Sequence, residues 1–285
     1  LEIDSGPRPI QILRSSVIGI VGTAPEADGA TAATLATGTA SAKTGITYTA
    51  ANAGTDGNNI RVRYRDPGTS DAMLSVTVAE KDITIDLATD TDGNISSTAQ
   101  EIVTELGSNT DTDGLITAAL TDGNNGSGVV RPSDFRSLAG GKEEPFPLNK
   151  PTLIAGSRKE ASRLGTTGSL PDAMNGIFDQ AGAVAIVVRV EEGTDEQATT
   201  ANVVGGVNST TSELEGVHAL AGAESVVGFK PRILVAPGFT HQRESGQRNA
   251  VVAEMLGIAE RLRAVIIADG PNTNDDDAQA YAGDF

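Results

Sequence analysis

The hydrophobic pattern is clearest in residues 231–272, where two short apolar runs, 233–236 and 264–268, flank a stretch of helical periodicity. The helical stripe consists of Val251, Val252, Met255, Leu256, Ile258, Ala259 and Leu262. Spacing of three and four residues predicts an amphipathic helix, and Ser245 is placed to cap its start. Two continuous apolar strands around such a helix are typical of a βαβ unit in a parallel sheet.

Further apolar runs predict strands of the same buried type at 17–21, 152–155 and 183–190. Polar residues that suit helix starts follow or precede these strands. The predicted starts are Ser157 with Glu160, the segment Ser169-Leu170-Pro171-Asp172, and Thr194 with Gln197. Leu214, Val217 and Leu220 predict one more helix.

A different pattern occupies the region between these elements. Residues 31–42 are almost entirely Ala, Thr, Gly and Ser, a composition typical of linkers. From 43 to 139, short alternating strands are separated by turns, and Thr-Asp-Gly recurs at 55, 91, 112 and 121. Ser97 with Gln100 predicts a helix start, and residues 115–120 predict a second short helix.

These patterns predict an α/β fold: a layered sheet with helices on both faces, interrupted by an inserted β-rich α+β domain. We expect residues 1–37 to supply an N-terminal arm and the first strand of a discontinuous core domain. Residues 38–139 would form the inserted domain, and 140–285 the remainder of the core.

Composition restricts the classes of partner and chemistry. The 285 residues carry a formal net charge of −17, which disfavours direct nucleic-acid binding, since phosphate contacts need a basic face. There is no Cys, so disulfides and thiolate chemistry are excluded. No apolar run approaches the ~20 residues of a membrane span, and we expect no membrane insertion.

Two motifs resemble ligand sites without completing them. Residues 19–22, Gly-Ile-Val-Gly, lack the remaining glycine, the following helix and the acidic residue of a dinucleotide-binding turn. Asp90-Thr91-Asp92-Gly93-Asn94 has Gly at the fourth position, whereas a calcium loop needs it at the sixth. A turn is therefore predicted at Asp90. The run Asp275-Asp276-Asp277 suits a helix N-terminus, where carboxylates oppose the helix dipole.

Ligands of open α/β sheets bind beyond the carboxyl ends of strands. The polar residues expected there are Arg189, Glu191, Glu192, His241 and Asp269. A His241–Asp269 pair could orient a general base, but no nucleophile elbow or His-Glu metal motif accompanies it. His218, beside an apolar stripe, is interpreted as structural. We therefore predict no catalytic, cofactor-binding or metal-binding residues and no cofactor.

An ordered series of segments outside the predicted insertion resembles contractile tail sheath proteins of phages and of R-type pyocins. The series is DSGPRPI (4–10), SSVIGIVGTAP (15–25), FPLNKP (146–151), LIAGS, LPDAMNGIFDQ, VVRVEEG, PRILVAPGFTHQ and AVIIADGPN. The resemblance covers nearly all of 1–27 and 144–285.

The resemblance implies a structural subunit, not an enzyme, stacked as hexameric rings around a tail tube and contracting to drive the tube through the host envelope. The implied partners are neighbouring sheath subunits, the tail tube protein, and baseplate and tail terminator proteins. The implied location is the virion tail, after assembly in the host bacterial cytoplasm. In the family, extended terminal arms add strands to adjacent subunits.

Relatives continue past residue 285 into further strands and a C-terminal domain, so we expect the 285 residues alone to be a monomer that builds no tubes. Two other functions remain open at this point. One is an α/β hydrolase-like enzyme with a strand-end site at His241 and Asp269. The other is a phage surface or adhesion module whose insertion binds host glycans.

Overall fold

The computed structural model describes residues 17–243 and 246–285. The predicted N-terminal arm, the segment DSGPRPI and the Ser245 cap lie outside these described residues. The chain divides into two compact units. The larger unit is built from Leu1–Asp28 and Pro145–Phe285, and the smaller from Gly29–Glu144. The chain contains both helices and sheets, in agreement with the predicted mixed α/β composition.

The elements are numbered in chain order. The strands are β1 (Ile18–Thr23), β2 (Ala32–Thr37), β3 (Ile46–Ala53), β4 (Arg61–Arg65), β5 (Ser75–Ala79), β6 (Asp82–Asp86), β7 (Ile116–Leu120), β8 (Ser133–Ser137), β9 (Thr152–Ala155), β10 (Val184–Val190), β11 (Gly206–Val207), β12 (Leu214–Glu215), β13 (Ile233–Val235) and β14 (Val265–Ile266). The α-helices are α1 (Ala99–Ser108), α2 (Arg158–Ala161), α3 (Ser169–Gln180), α4 (Glu196–Val204), α5 (Ala223–Val227), α6 (Ala250–Leu262) and α7 (Asp275–Ala282).

The larger unit contains a sheet in the order β14-β13-β1-β10-β9. The first four strands are parallel to their neighbours, and β9 is antiparallel to β10. The parallel pairing of β13 with β14 around α6 confirms the βαβ unit predicted from residues 231–272. Strand β1 lies in the middle, with β10 on one side and β13 on the other. The glycines at 19 and 22 therefore lie within a core strand.

Alternate residues of the central strands belong to different apolar clusters. On β10, Ile186 and Val188 pack in a cluster with α6, whereas Ala185 and Val187 pack in another with Leu170 of α3. Successive side chains of a strand point to opposite faces of the sheet. Both faces of β10 are thus covered by apolar side chains, which explains why this strand has a continuous apolar sequence rather than an alternating one.

Helix α6 buries the predicted stripe. Val251 and Met255 are fully buried, and Leu262 is 4% exposed, while Leu256 on the flank of the stripe is 38% exposed. Asn249 caps the helix, because its side-chain oxygen accepts the backbone N–H of Val252 at 2.9 Å. The helix therefore starts four residues later than a cap at position 245 implies.

The smaller unit holds two sheets, in the orders β2-β3-β7 and β5-β6-β4-β8. Strand β4 is parallel to β6 and antiparallel to β8. One apolar cluster unites both sheets with α1 and includes the fully buried Tyr48, Ile83, Leu87 and Ile102. The predicted β-rich character of this region is therefore present in the structure.

Two predictions within the smaller unit are wrong. Residues 32–37, interpreted as linker, form β2, in which Ala33, Leu35 and Thr37 are buried and Thr34 and Ala36 are exposed. Residues 115–120, predicted as helical, include β7, which pairs antiparallel with β3. In both places pairing with β3 holds an extended backbone in segments rich in Ala, a residue that is depleted in strands.

Several local predictions are displaced by a residue or have another geometry. The capping box of α1 is Thr98 with Glu101, because Ser97 instead accepts the backbone N–H of Ala88. Asp195 rather than Thr194 caps α4. The predicted helix over 214–220 is β12 followed by the 3-10 helix Gly216–Gly222. The Thr-Asp-Gly at 55 starts the 3-10 helix Thr55–Asn59.

Other local predictions are confirmed. Ser157 caps α2, with its hydroxyl accepting the N–H of Glu160 at 3.2 Å, and α3 begins at Ser169. The three aspartates 275–277 form the first turn of α7, which Asn274 caps. Asp90 sits in a turn, where its carboxylate accepts the N–H groups of Asp92 and Asn94 at 3.0 and 2.8 Å.

Candidate functional site

The structure places Arg189, at the end of β10, in a structural role. Its Nε donates to the carbonyl of Phe146 at 2.7 Å and its Nη1 to that of Ala24 at 3.4 Å. The guanidinium therefore ties β10 to the segments before β9 and after β1. Glu191 and Glu192 follow on exposed positions, and the carbonyl of Glu191 accepts the Asn202 side-chain amide at 2.9 Å.

His241 and Asp269, the alternative acid–base pair, are both exposed. In the part of the chain that the structure describes, their side chains share no hydrogen bond or ion pair. Asp269 instead uses its backbone N–H, which donates to the hydroxyl of Thr240 at 2.9 Å. His218 lies 3.0 Å from the carboxylate of Glu254 on α6, which fits the predicted structural role.

The neighbourhood of Thr240 holds α7 against the strand ends. The hydroxyl of Tyr281, on α7, donates to the carbonyl of Thr240. Burial raises the pKa of Tyr281, and the charges of Asp269 and Asp284 raise it further, so the phenol remains a protonated donor at neutral pH. Tyr281, Thr240 and Asp269 thus connect α7, the loop after β13 and the end of β14.

An ion pair closes the same region. Arg243 binds both carboxylate oxygens of Asp284, at 2.7 and 3.2 Å, and the two side chains are only 24% and 18% exposed. The hydrogen bond from Arg243 lowers the pKa of Asp284. The ring of Phe285 packs edge-on against Tyr281, with 5.5 Å between centroids. These contacts hold α7 in place. They do not include a nucleophile that is hydrogen-bonded to a general base.

The outer edge of β14 has a different character. The N–H groups of Val265 and Ile267 donate to the carbonyls of Arg232 and Leu234 at 2.8 and 3.0 Å. In a parallel pair alternate residues bond to opposite neighbours, so the N–H and C=O of Ile266 point away from β13. Among the described residues, β14 is the terminal strand on this side of the sheet. Ile266 therefore presents backbone groups that another strand could pair with.

Apolar side chains flank this edge on both faces of the sheet. Val265 and Ile267 are 66% and 58% exposed on one face. On the other face an apolar groove runs between α6 and β14. The groove is lined by Val252, Leu256, Ala259, Glu260, Arg263, Ala264, Ile266, Ala268 and Phe285. An unpaired strand edge with apolar surface above and below it is suited to contact with another polypeptide.

The described residues contain neither a candidate metal-ion cluster nor a helix that could span a membrane. Within 17–243 and 246–285, no group of three or more His, Asp or Glu side chains is arranged to hold a metal ion. In the same residues, none of the helices has both the length and the apolar composition that a bilayer crossing requires.

Comparison with known proteins agrees with the series of motifs in the sequence. Residues 118–190 match the family model described as tail sheath protein Gp18 domain III, N-terminal region. The chain is 39% identical over 137 residues to a putative prophage major tail sheath protein of Pseudomonas aeruginosa strain UCBPP-PA14, a match that covers 48% of this chain and 34% of the relative.

The tail sheath protein of Escherichia phage P2 is 38% identical over 126 residues, which cover 42% of this chain and 30% of the relative. The major tail sheath protein of Serratia phage KSP20 is 38% identical over 122 residues, or 42% and 29% of the two chains. These matches confirm the resemblance to contractile phage tail sheath proteins. The chain matches about a third of the length of these sheath proteins.

Sequence reasoning did not place the open edge of the larger unit at β14. The run Ala264-Val265-Ile266-Ile267-Ala268 indicated a strand buried on both faces. Its position at the end of the sheet leaves Val265 and Ile267 exposed instead. The amino-acid sequence gave no signal of this exposure, because the position of a strand in a parallel sheet depends on the direction of the crossover connections.

Proposed function

We propose that this chain is part of a structural subunit of a contractile phage tail sheath, without catalytic activity. The subunits stack as rings around a tail tube and contract to drive the tube through the host envelope. They assemble in the bacterial cytoplasm and reside in the virion tail, with the tail tube, baseplate and tail terminator proteins as partners. The three relatives that match this chain are all tail sheath proteins, which supports this role.

The similarity to tail sheath proteins carries the proposal, and the edge of β14, terminal among the described residues, is the assembly contact that we propose. A strand from a neighbouring subunit pairs with Ile266 and covers the exposed side chains of Val265 and Ile267. Main-chain hydrogen bonds supply affinity in such β-strand addition, and apolar side chains supply register. Burying a Val or Ile side chain fully contributes about 1.5–3 kcal/mol. Repeated at every subunit, such contacts hold a polymer together without any cofactor.

The test substitutes Val265 and Ile267 by lysine together, in the gene product that carries this chain. The side chains are exposed, so the subunit still folds, but two charges oppose docking of an apolar strand. We expect loss of sheath tubes in negative-stain electron microscopy. The matched control is Val207→Lys, because Val207 is 65% exposed and lies on β11, outside the five-stranded sheet.

Tubes formed by the Val265→Lys/Ile267→Lys variant at the wild-type level would show that the β14 edge is not an assembly contact. Loss of tubes in both variants would show that any added charge blocks assembly, and the edge would then have no special role. Unaltered far-UV circular dichroism of each purified variant establishes that the subunit is folded.

A further inference from the structure

A pocket opens in the smaller unit beside the end of β2. Its volume is about 420 Å³, within the roughly 300–1,000 Å³ typical of small-molecule sites. It is lined by Thr37, Gly38, Ala42, Thr44, Tyr64, Val129, Val130, Arg131, Ser133 and Arg136. Hydroxyl groups, two guanidinium groups and a few apolar side chains therefore surround one compact space.

Buried hydroxyl groups give one wall of the pocket a fixed geometry. The hydroxyl of Tyr64 is hydrogen-bonded to that of Thr37 at 2.8 Å and to that of Tyr48. Tyr48 is fully buried and Tyr64 is 5% exposed. Side chains held in this way do not need to be ordered when a ligand arrives, which reduces the entropic cost of binding.

The two arginines of the pocket are uncommitted. Arg131 and Arg136 are both exposed, and in the described part of the chain neither side chain forms a hydrogen bond or ion pair. By contrast, Arg61 and Arg65 on the same unit bind Asp82 and Asp86. The pocket thus carries two guanidinium groups that have no hydrogen-bond or ion-pair partner among the described residues.

The positive charge of Arg136 acts on the buried Tyr64 hydroxyl of the same pocket. Burial raises the pKa of Tyr64, whereas the hydrogen bonds with Thr37 and Tyr48 and the charge of Arg136 oppose the rise. Arg136 and Tyr64 line the same pocket, and the positive charge of Arg136 favours the ionised form of the Tyr64 phenol. The pocket therefore combines positive charge with hydroxyl groups.

We propose that this pocket binds a carboxylated sugar residue. The carboxylate lies between Arg131 and Arg136, since guanidinium groups bind carboxylates through paired, charge-assisted hydrogen bonds. The sugar hydroxyls face Thr44 and Ser133, and the side chain of Val129, which is 46% exposed, covers an apolar face of the ring. A volume of about 420 Å³ suits one compact polyhydroxylated unit.

This activity is independent of the proposed sheath role. The pocket lies wholly in the unit Gly29–Glu144, whereas the β14 edge belongs to the other unit. The experiment is an NMR titration of the whole chain with glucuronate and, separately, with glucose and with glucose 6-phosphate. We expect glucuronate to bind with a Kd of about 1 mM or tighter, and both other sugars to bind at least tenfold more weakly.

Variants test the two arginines. Arg131→Gln and Arg136→Gln should each weaken glucuronate binding at least tenfold, with unchanged thermal unfolding because neither residue has a structural partner among the described residues. The matched control is Arg63→Gln. Arg63 lies on β4 next to Tyr64, but its side chain is on the opposite face from Tyr64, where it donates to Thr84 at 2.9 Å.

Three results would overturn the proposal. The first is the absence of any chemical-shift change in the presence of about 10 mM glucuronate, well above the expected Kd. The second is equal binding of glucose or of glucose 6-phosphate, which would remove the carboxylate specificity. The third is unchanged glucuronate affinity in both arginine variants, or an equal loss in Arg63→Gln.

Discussion

At the scale of single residues, hydroxyl groups and charges determine how the strand ends of the larger unit are held. Thr240 accepts the backbone N–H of Asp269 with its side chain and the Tyr281 hydroxyl with its carbonyl. Tyr281 is 7% exposed, so this donor is withdrawn from water. The residues that an enzyme interpretation would use for catalysis, His241 and Asp269, border a contact that is structural.

Replacing Tyr281 by Phe tests this contact. The change keeps the ring but leaves the carbonyl of Thr240 without its buried donor, at a cost of about 1–3 kcal/mol. We expect faster amide hydrogen exchange in α7 while exchange in α6 stays unchanged. His241→Ala is the control, because this exposed side chain makes no hydrogen bond among the described residues. Equal exchange in Tyr281→Phe and the wild type would refute a holding role for the hydroxyl.

At the scale of elements, α6 shows how one helix joins its sheet. Its buried face packs against the cluster that includes Ile186 and Val188 of β10 and Leu234 of β13. The opposite flank of the helix borders the apolar groove beside β14. The same helix therefore contributes both to the core of the unit and to the proposed assembly surface.

Truncation of two leucines on α6 separates these contributions. Leu262 is 4% exposed, so Leu262→Ala should lower the free energy of unfolding by about 2–5 kcal/mol through lost transfer energy and a cavity. Leu256→Ala makes the same chemical change at a residue that is 38% exposed, and should cost less than about 1 kcal/mol. Urea denaturation followed by far-UV circular dichroism measures both. A loss below about half a kcal/mol for Leu262→Ala would show that Leu262 does not lie on the buried face of α6.

At the scale of the whole molecule, the segments by which the chain enters and leaves the smaller unit lie side by side. Thr31 and Lys142 form an antiparallel bridge, in which the N···O distances of the two backbone hydrogen bonds are 2.9 and 3.0 Å. We propose that this unit is an insertion that folds independently of the larger one, as closely spaced ends are typical of inserted domains. Because β2 lies in this unit, we propose that the insertion begins near Gly29.

Excision of residues 30–143 with a short Gly-Ser bridge tests the proposal. Each unit has apolar clusters of its own, so the remaining residues retain their core. We expect cooperative thermal unfolding of the shortened chain and protected amides in β1 and β10. Excision of 38–139 is the informative control. It leaves β2 without β3, its pairing partner, and exposes an unpaired strand. A shortened chain without cooperative unfolding would contradict independent folding.

Local pattern by itself determined the elements that bury long apolar side chains. Continuous runs defined β10 and β13, and helical spacing defined α6 and its buried residues, because these signals reflect the transfer of large side chains from water. The ordered motifs also sufficed for the resemblance to sheath proteins, which the relatives confirm. Helix starts were found to within about one turn: the cap of α1 is Thr98 rather than Ser97, and that of α6 is Asn249 rather than Ser245.

Tertiary structure decided what the pattern left open. Strands β2 and β7 consist largely of Ala and Thr, and pairing with β3 holds them extended. The free edge at Ile266 follows from strand order, and the grouping of Arg131 and Arg136 with Tyr64 follows from the meeting of segments far apart in the chain. Sequence periodicity indicates which residues are buried. The order of strands in a sheet, and the proximity of residues that are distant in sequence, depend on contacts that no short stretch of sequence contains.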